Sequence, residues 1–268
     1  SSWLLMGLPG VAYLSGVCDA AWTAIGLGIG TYLNWLFVAR RLRRYSANIN
    51  AFTVPSFYSK RFHDDKNILN AICALVIVIF FIPYTASGFA ACGKLFNSLF
   101  GVDYMAAMVV SAIIIVGYTI MGGFKAVSTT DFIQSCVMTI ALVVVLGFGI
   151  TAAGGFDAVM ANANSMAGYL SLTAMHDAAS GTASPYGFIT IISTMAWGLG
   201  YFGMPHIILR FMAIEDEKKL VLSRRVATVW VFIAMFGAIF IGVVGNAVSK
   251  TGILEVLDGS SSETIVVR

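Results

Sequence analysis

Two apolar stretches of this chain carry glycine and proline where a membrane-spanning helix would be most regular. The first is the run Gly-Leu-Pro-Gly at residues 7–10, and the second is the run Trp-Gly-Leu-Gly-Tyr-Phe-Gly-Met-Pro at residues 197–205. Within a bilayer, the backbone groups that such a break frees must find partners inside the protein, so a broken helix is tolerated only where it is buried or lines a cavity. Paired interruptions of this kind therefore predict a ligand site near the middle of the membrane.

The composition identifies the chain as an integral membrane protein. Of its 268 residues, 59% are hydrophobic and 11% are charged, whereas about a quarter of a typical soluble domain is charged. We predict an all-α polytopic protein that forms one transmembrane domain, and we expect the chain to be a fragment truncated at both ends. The predicted spans are residues 1–17, 20–38, 68–92, 104–121, 132–153, 187–213 and 226–248.

The basic residues are concentrated in alternate loops. Loops 39–67, 122–131 and 209–225 carry 13 of the 16 Lys and Arg. Because cytoplasmic loops of membrane proteins hold the excess of Lys and Arg, these three loops are predicted to be cytoplasmic. The same clusters could bind nucleic acid in a soluble protein, but here they lie at the ends of spans, so we predict a lipid bilayer and no nucleic acid as partner.

The predicted spans contain no Asp, Glu, Lys or Arg well inside them. They lack any acid–base pair or nucleophile–base constellation, so an enzyme is not expected. The histidines are scattered and indicate no metal site, and no cofactor is predicted. A site built from carbonyls, hydroxyls, aromatic faces and half-helix ends would suit a small zwitterion and a monovalent cation.

The second interrupted stretch carries the candidate binding residues. Trp197, Tyr201 and Pro205 are spaced i, i+4 and i+8, which places them on one broad face of an α-helix. Pro205 lacks an N–H, so it frees the carbonyl of Tyr201. The alternative is an aromatic belt with packing glycines. Gly26 and Gly30 have the spacing of small residues at a close helix–helix contact, which we expect them to form.

Several motifs of the chain resemble those of the sodium:solute symporter family, and most closely its bacterial sodium/proline branch. The general family motif is Gly-Gly-Phe-Lys-Ala-Val-Ser-Thr-Thr-Asp at residues 122–131. The more specific runs lie at residues 1–10, 84–88, 197–207 and 210–213. The resemblance covers essentially the whole chain and implies a partial LeuT-like fold, which consists of two inverted repeats of five helices with two discontinuous helices.

The resemblance also implies roles for individual residues. The substrate-binding positions that it implies are Ser1, Trp3, Gly7, Tyr84, Trp197, Tyr201 and Pro205. The sodium pathway would include Ser1 and Asp131, while the main sodium ligands would lie outside the chain. For Asp131 the alternative is a cap at the start of the fifth span. For Tyr84, which follows Pro83, the alternative is a packing tyrosine.

The activity implied by the resemblance is sodium-coupled symport of proline into the cell by alternating access. Na⁺ would be the coupling ion, no cofactor would be needed, and the protein would lie in the bacterial inner membrane. Two alternatives remain open: a sodium-coupled symporter of another small solute, and a symporter-like domain of a membrane sensor.

Overall fold

The computed structural model describes residues 3–267, and most of them are helical. The α-helices are α1 (Leu8–Ser15), α2 (Val17–Leu33), α3 (Arg40–Asn48), α4 (Val54–Arg61), α5 (Ile68–Phe100), α6 (Tyr104–Ala152), α7 (Phe156–Ser165), α8 (Phe188–Met195), α9 (Pro205–Ala213) and α10 (Lys219–Lys250). Trp3–Gly7 and Asn34–Ala39 are π-helical turns, and Ala196–Phe202 and Gly259–Thr264 are 3-10 helical. A short antiparallel hairpin, β1 (Ala174–His176) with β2 (Ala183–Pro185), is a departure from the all-α prediction.

Four helices within residues 3–267 are long and apolar enough to cross a membrane: Val17–Asn48, α5, α6 and α10. Trp3–Ser15 and Phe188–Phe202 are shorter apolar helices. The first of the long helices joins α2 to α3 through the π-helical turn, so it runs ten residues past the predicted end of the span at residue 38. The number of seven spans stays a prediction.

Helix α6 replaces the loop that was predicted at residues 122–131. Its 49 residues consist of two helical segments that meet at a kink, and the one non-helical residue inside it is Gly123, with φ 55° and ψ −148°. Glycine adopts such a conformation because it lacks a β-carbon. The predicted ten-residue loop is therefore wrong, since one glycine kink between two helical segments takes its place.

The first interrupted stretch stays helical. The π-helical turn Trp3–Gly7 continues directly into α1, and Gly7 has φ −66° and ψ −51°. Pro9 follows the π-helical turn within one continuous helix, so its missing N–H removes one hydrogen bond without ending the helix. The predicted break at residues 7–10 is therefore wrong, because the helix there changes its pitch instead of unwinding.

The second interrupted stretch is broken as predicted. The α-helical pattern of α8 ends at Met195 and becomes 3-10 helical at Ala196–Phe202. Met204 is extended, with φ −70° and ψ 110°, and α9 begins at Pro205. The discontinuity is thus confined to Gly203 and Met204.

The chain forms two compact units, which are described separately. Unit 1 consists of residues 1–21, 86–188 and 234–268, and unit 2 of residues 22–85 and 189–233. In unit 1, the side chain of Tyr169 is fully buried, and its hydroxyl oxygen lies 2.8 Å from the carbonyl oxygen of Ala12 and 3.0 Å from that of Tyr13. Tyr169 therefore adds a side-chain donor at the C-terminal end of α1, where the Ala12 oxygen also accepts from the Gly16 N–H and the Tyr13 oxygen from the amide Nδ2 of Asn246. Burial raises the pKa of Tyr169, so its hydroxyl remains a donor.

We expect Tyr169→Phe to lower the free energy of unfolding by about 0.5–1.5 kcal/mol, because it removes a buried hydrogen bond while the Ala12 and Tyr13 carbonyls keep their other donors. The measurement is the thermal unfolding of the purified full-length protein that contains this chain. Tyr118→Phe is the control, since the Tyr118 hydroxyl makes no hydrogen bond to another described residue. Equal stability of the two variants would contradict the capping role.

Candidate functional site

The break in the second interrupted helix separates the candidate binding residues. Trp197 and Tyr201 lie in the 3-10 segment, and Pro205 begins α9 beyond the extended Met204. A 3-10 helix has three residues per turn, so residues four apart point about 120° apart instead of about 40°. The predicted common face of the three residues is therefore wrong, although they remain neighbours on either side of the break.

The carbonyl of Tyr201 is bound by a side chain from another helix. Pro205 has no N–H, and the amide Nδ2 of Asn34 donates a hydrogen bond to the Tyr201 oxygen at 2.7 Å. Asn34 is 1% exposed and begins the π-helical turn Asn34–Ala39. Its Oδ1 is buried and has no hydrogen-bond partner within residues 3–267. The prediction that the Tyr201 carbonyl is freed from the helix is consistent with this bond.

Asn34 was not predicted from the sequence as a site residue, although its position in the sequence could have indicated it. It is a single amide within the apolar predicted span at residues 20–38. A polar side chain inside the membrane is expensive unless it has a partner, so such a residue is a candidate for a structural or functional contact.

Three glycines bring α2 into backbone contact with the 3-10 segment. A β-carbon on Gly30 would overlap the carbonyl oxygen of Gly198, and a β-carbon on Gly198 would overlap that of Gly26. We call Gly26, Gly30 and Gly198 the glycine seam. The predicted close packing of Gly26 and Gly30 is confirmed, and their partner is the broken helix itself.

Tyr84 belongs to an aromatic cluster that includes His206 at the start of α9. Its ring stacks on that of His206 with 5.6 Å between centroids, and Phe81 lies 5.7 Å from His206. Tyr84 and Trp197 are 49% and 50% exposed. His206 was not identified from the sequence, because a single histidine beside a proline has no specific pattern.

The other candidate residues lie in unit 1. Trp3 and Gly7 are brought together, since the indole Cδ1 of Trp3 is 2.8 Å from the position of a β-carbon on Gly7. Asp131 lies well inside α6, so the alternative that it caps the start of a helix is wrong. Ser1 lies outside the described residues. Within residues 3–267, no group of three or more His, Cys, Asp or Glu is placed to hold a metal ion.

Comparison with known proteins gives a consistent result over most of the chain. The model of the sodium:solute symporter family matches residues 1–255. Sodium/proline symporters of Staphylococcus aureus strains USA300 / TCH1516 and JH9 are each 43% identical to the chain over 248 residues, which is 92% of the chain and 46% of each relative. The chain thus spans about half the length of the curated relatives it matches. On this match and this identity, the chain belongs to the sodium:solute symporter family, and so to a family of transporters and not of enzymes.

Proposed function

We propose that the protein containing this chain carries proline into the cell together with Na⁺ by alternating access. The observation that carries the proposal is the break at Gly203 and Met204 inside an apolar helix of a symporter-family chain. Discontinuous helices in transporters commonly form the substrate site. The relatives named as sodium/proline symporters support proline as the solute.

The residues around the break would bind the substrate. The half-exposed rings of Trp197 and Tyr84 offer apolar faces to the pyrrolidine ring, while Tyr201 and Pro205 border the break. The N-terminal end of α9 would stabilise the substrate carboxylate, since helix N-termini carry partial positive charge.

The remaining assignments extend the proposal to unit 1. Ser1, Trp3 and Gly7 would contribute the substrate site on the first helix, and Ser1 and Asp131 would line the sodium pathway. The LeuT-like arrangement of two five-helix inverted repeats is proposed for the whole protein.

The driving force is sufficient for accumulation. One charge moving through about 100 mV supplies about 2.3 kcal/mol, and a tenfold sodium gradient adds about 1.4 kcal/mol. Their sum of about 3.7 kcal/mol supports an accumulation of several hundred-fold. The bacterial inner membrane, the proposed location, maintains a potential of this kind, and the bacterial relatives support that location.

Trp197→Ala tests the substrate site. We expect the KM for proline to rise about tenfold, because the variant loses an aromatic contact face. The measurement is initial uptake of labelled proline by membrane vesicles that contain the full-length protein. Leu199→Ala is the matched control, since Leu199 is an exposed residue of the same 3-10 segment. An unchanged KM in Trp197→Ala would reject the assignment.

The same vesicles test ion coupling and the solute. Uptake should stop when choline replaces sodium, and proline should compete better than other amino acids, carboxylates or sugars. Equal uptake with choline, in the absence of a proton gradient, would refute sodium coupling. Stronger competition by another solute would favour a different sodium-coupled symporter, and binding of proline without uptake would favour a sensor.

A further inference from the structure

Two adjoining cavities lie at the arginine-rich end of unit 2. The first has a volume of 470 Å³ and is lined by Arg40, Arg41, Arg44, Tyr45 and Asn48. The second has a volume of 440 Å³, and its lining is mainly apolar and aromatic. The two cavities share Arg41 and Tyr45, so the first cavity, which is lined by arginines, borders the second, which forms an apolar groove.

The charges around these cavities are not balanced. No acidic side chain lines either of them. Glu217 lies 2.9 Å from Arg44 and 3.6 Å from Arg40, so one carboxylate serves two guanidinium groups. Arg41 is exposed and makes no ion pair or side-chain hydrogen bond within residues 3–267. The site therefore has unneutralised positive charge at Arg41.

The second cavity adds another cation and an apolar wall. Arg61 donates a hydrogen bond to the hydroxyl of Tyr45 at 2.7 Å, and its guanidinium lies 4.5 Å from the Tyr45 ring centre. These contacts hold the guanidinium in place while keeping its charge. The wall includes Phe37, Phe57 and Phe202, and Phe37 is 52% exposed.

The position of the cavities along the helix matches that of a lipid headgroup. The helix Val17–Asn48 is apolar enough to span a membrane, and its arginines begin at Arg40, directly after the π-helical turn. The two basic loops of unit 2 meet here, since Arg44 of one pairs with Glu217 of the other. Both loops are predicted to be cytoplasmic, and the cytoplasmic leaflet is the one that carries anionic lipids.

We infer that this pair of cavities binds one anionic glycerophospholipid of the inner leaflet. Arg41 and Arg61 contact its phosphate-bearing headgroup, and one acyl chain lies along Phe37, Phe57 and Phe202 in the second cavity. Charge complementarity favours an anionic headgroup, and the apolar groove beside it favours a lipid over a soluble phosphate. The proposed substrate residues Tyr84, Trp197, Tyr201 and Pro205 do not line either cavity, so the inference does not depend on which solute is carried.

The test is lipid binding to the delipidated full-length protein in detergent, measured by native mass spectrometry. Phosphatidylglycerol is titrated in parallel with phosphatidylcholine of the same acyl chains. We expect phosphatidylglycerol to bind at least tenfold more tightly. The double variant Arg41→Gln/Arg61→Gln should lose about 20-fold in this affinity, from about fivefold for each arginine near an anionic lipid. Millimolar glycerol phosphate should not displace the bound lipid.

Matched variants separate a defined site from general attraction of charge. Lys60→Gln/Lys66→Gln removes the same charge from the same loop, but neither lysine lines either of these two cavities. It should change the affinity less than threefold, and Arg41→Lys/Arg61→Lys should retain most of the binding. Equal losses in the two glutamine variants, equal affinity for the two lipids, or displacement by glycerol phosphate would each overturn the inference.

Discussion

Gly198→Ala is expected to lower the free energy of unfolding of the full-length protein by about 3 kcal/mol, and its melting temperature with it, because the added β-carbon overpacks a backbone contact. A β-carbon at this position overlaps the carbonyl oxygen of Gly26 and lies 3.3 Å from the backbone nitrogen of Leu27. Both atoms belong to the backbone of α2, so no side chain can rotate away. Relief requires separating α2 from the 3-10 segment, and proline uptake should fall with the loss of that contact.

Gly200→Ala is the control for this prediction, because no heavy atom lies within 4 Å of its added β-carbon. Its melting temperature should stay within about 2 °C of wild type, since a substitution in open space changes stability by no more than about 0.5 kcal/mol. Gly30→Ala should reproduce the large loss from the opposite side of the glycine seam. If Gly198→Ala and Gly200→Ala melted at the same temperature, the close approach would not exist in the protein.

Asn34→Leu is expected to raise the KM for proline by roughly 5- to 30-fold, because the Tyr201 carbonyl loses its donor at a cost of about 1–2 kcal/mol. Asn34 acts through the backbone at the break, so it is a positioning residue for the proposed substrate site. The readout is initial uptake at varied proline concentrations, with the amount of folded protein in the vesicles measured separately. A change confined to protein amount would contradict the positioning role.

Two further variants identify the group that matters on Asn34. Asn34→Asp keeps the shape of the side chain, and burial favours its protonated carboxyl, which can still donate to the Tyr201 oxygen, so its KM should rise less than in Asn34→Leu. Thr31→Val alters another buried polar side chain of the same helix and should leave the KM near wild type. A wild-type KM in Asn34→Leu would show that the hydrogen bond at 2.7 Å is dispensable.

The features that were predicted correctly depend on local chemistry. Pro205 lacks an N–H wherever it is placed, so the loss of a helical bond to Tyr201 follows from the sequence. Gly26 and Gly30 lack side chains on one face of a helix in any fold, and in membranes such faces allow another backbone to pack closely against the helix. The motifs in the chain led to the same family as the match over residues 1–255.

The features that were predicted incorrectly depend on whether a helix continues, kinks or ends at a glycine or proline. At residues 7–10 the π-helical turn Trp3–Gly7 runs directly into α1, so Pro9 removes one hydrogen bond but the helix continues. In α6, the dihedral angles of Gly123 alone take the place of the expected loop at residues 122–131. The sequence shows that glycine and proline weaken a helix at these positions, but it does not show whether the helix continues there.

By itself, the sequence determined that this is a membrane protein and which family it belongs to, because hydropathy and motifs are properties of the chain. It predicted two broken helices, and the structure showed that only the one with Pro205 is broken. Only the tertiary structure decided how the break is held. Asn34 lies 167 residues from the carbonyl that it binds, and the seam pairs Gly30 with Gly198. Hydrogen bonds and close contacts between residues so far apart depend on packing, which brings together groups that carry no common pattern in the sequence.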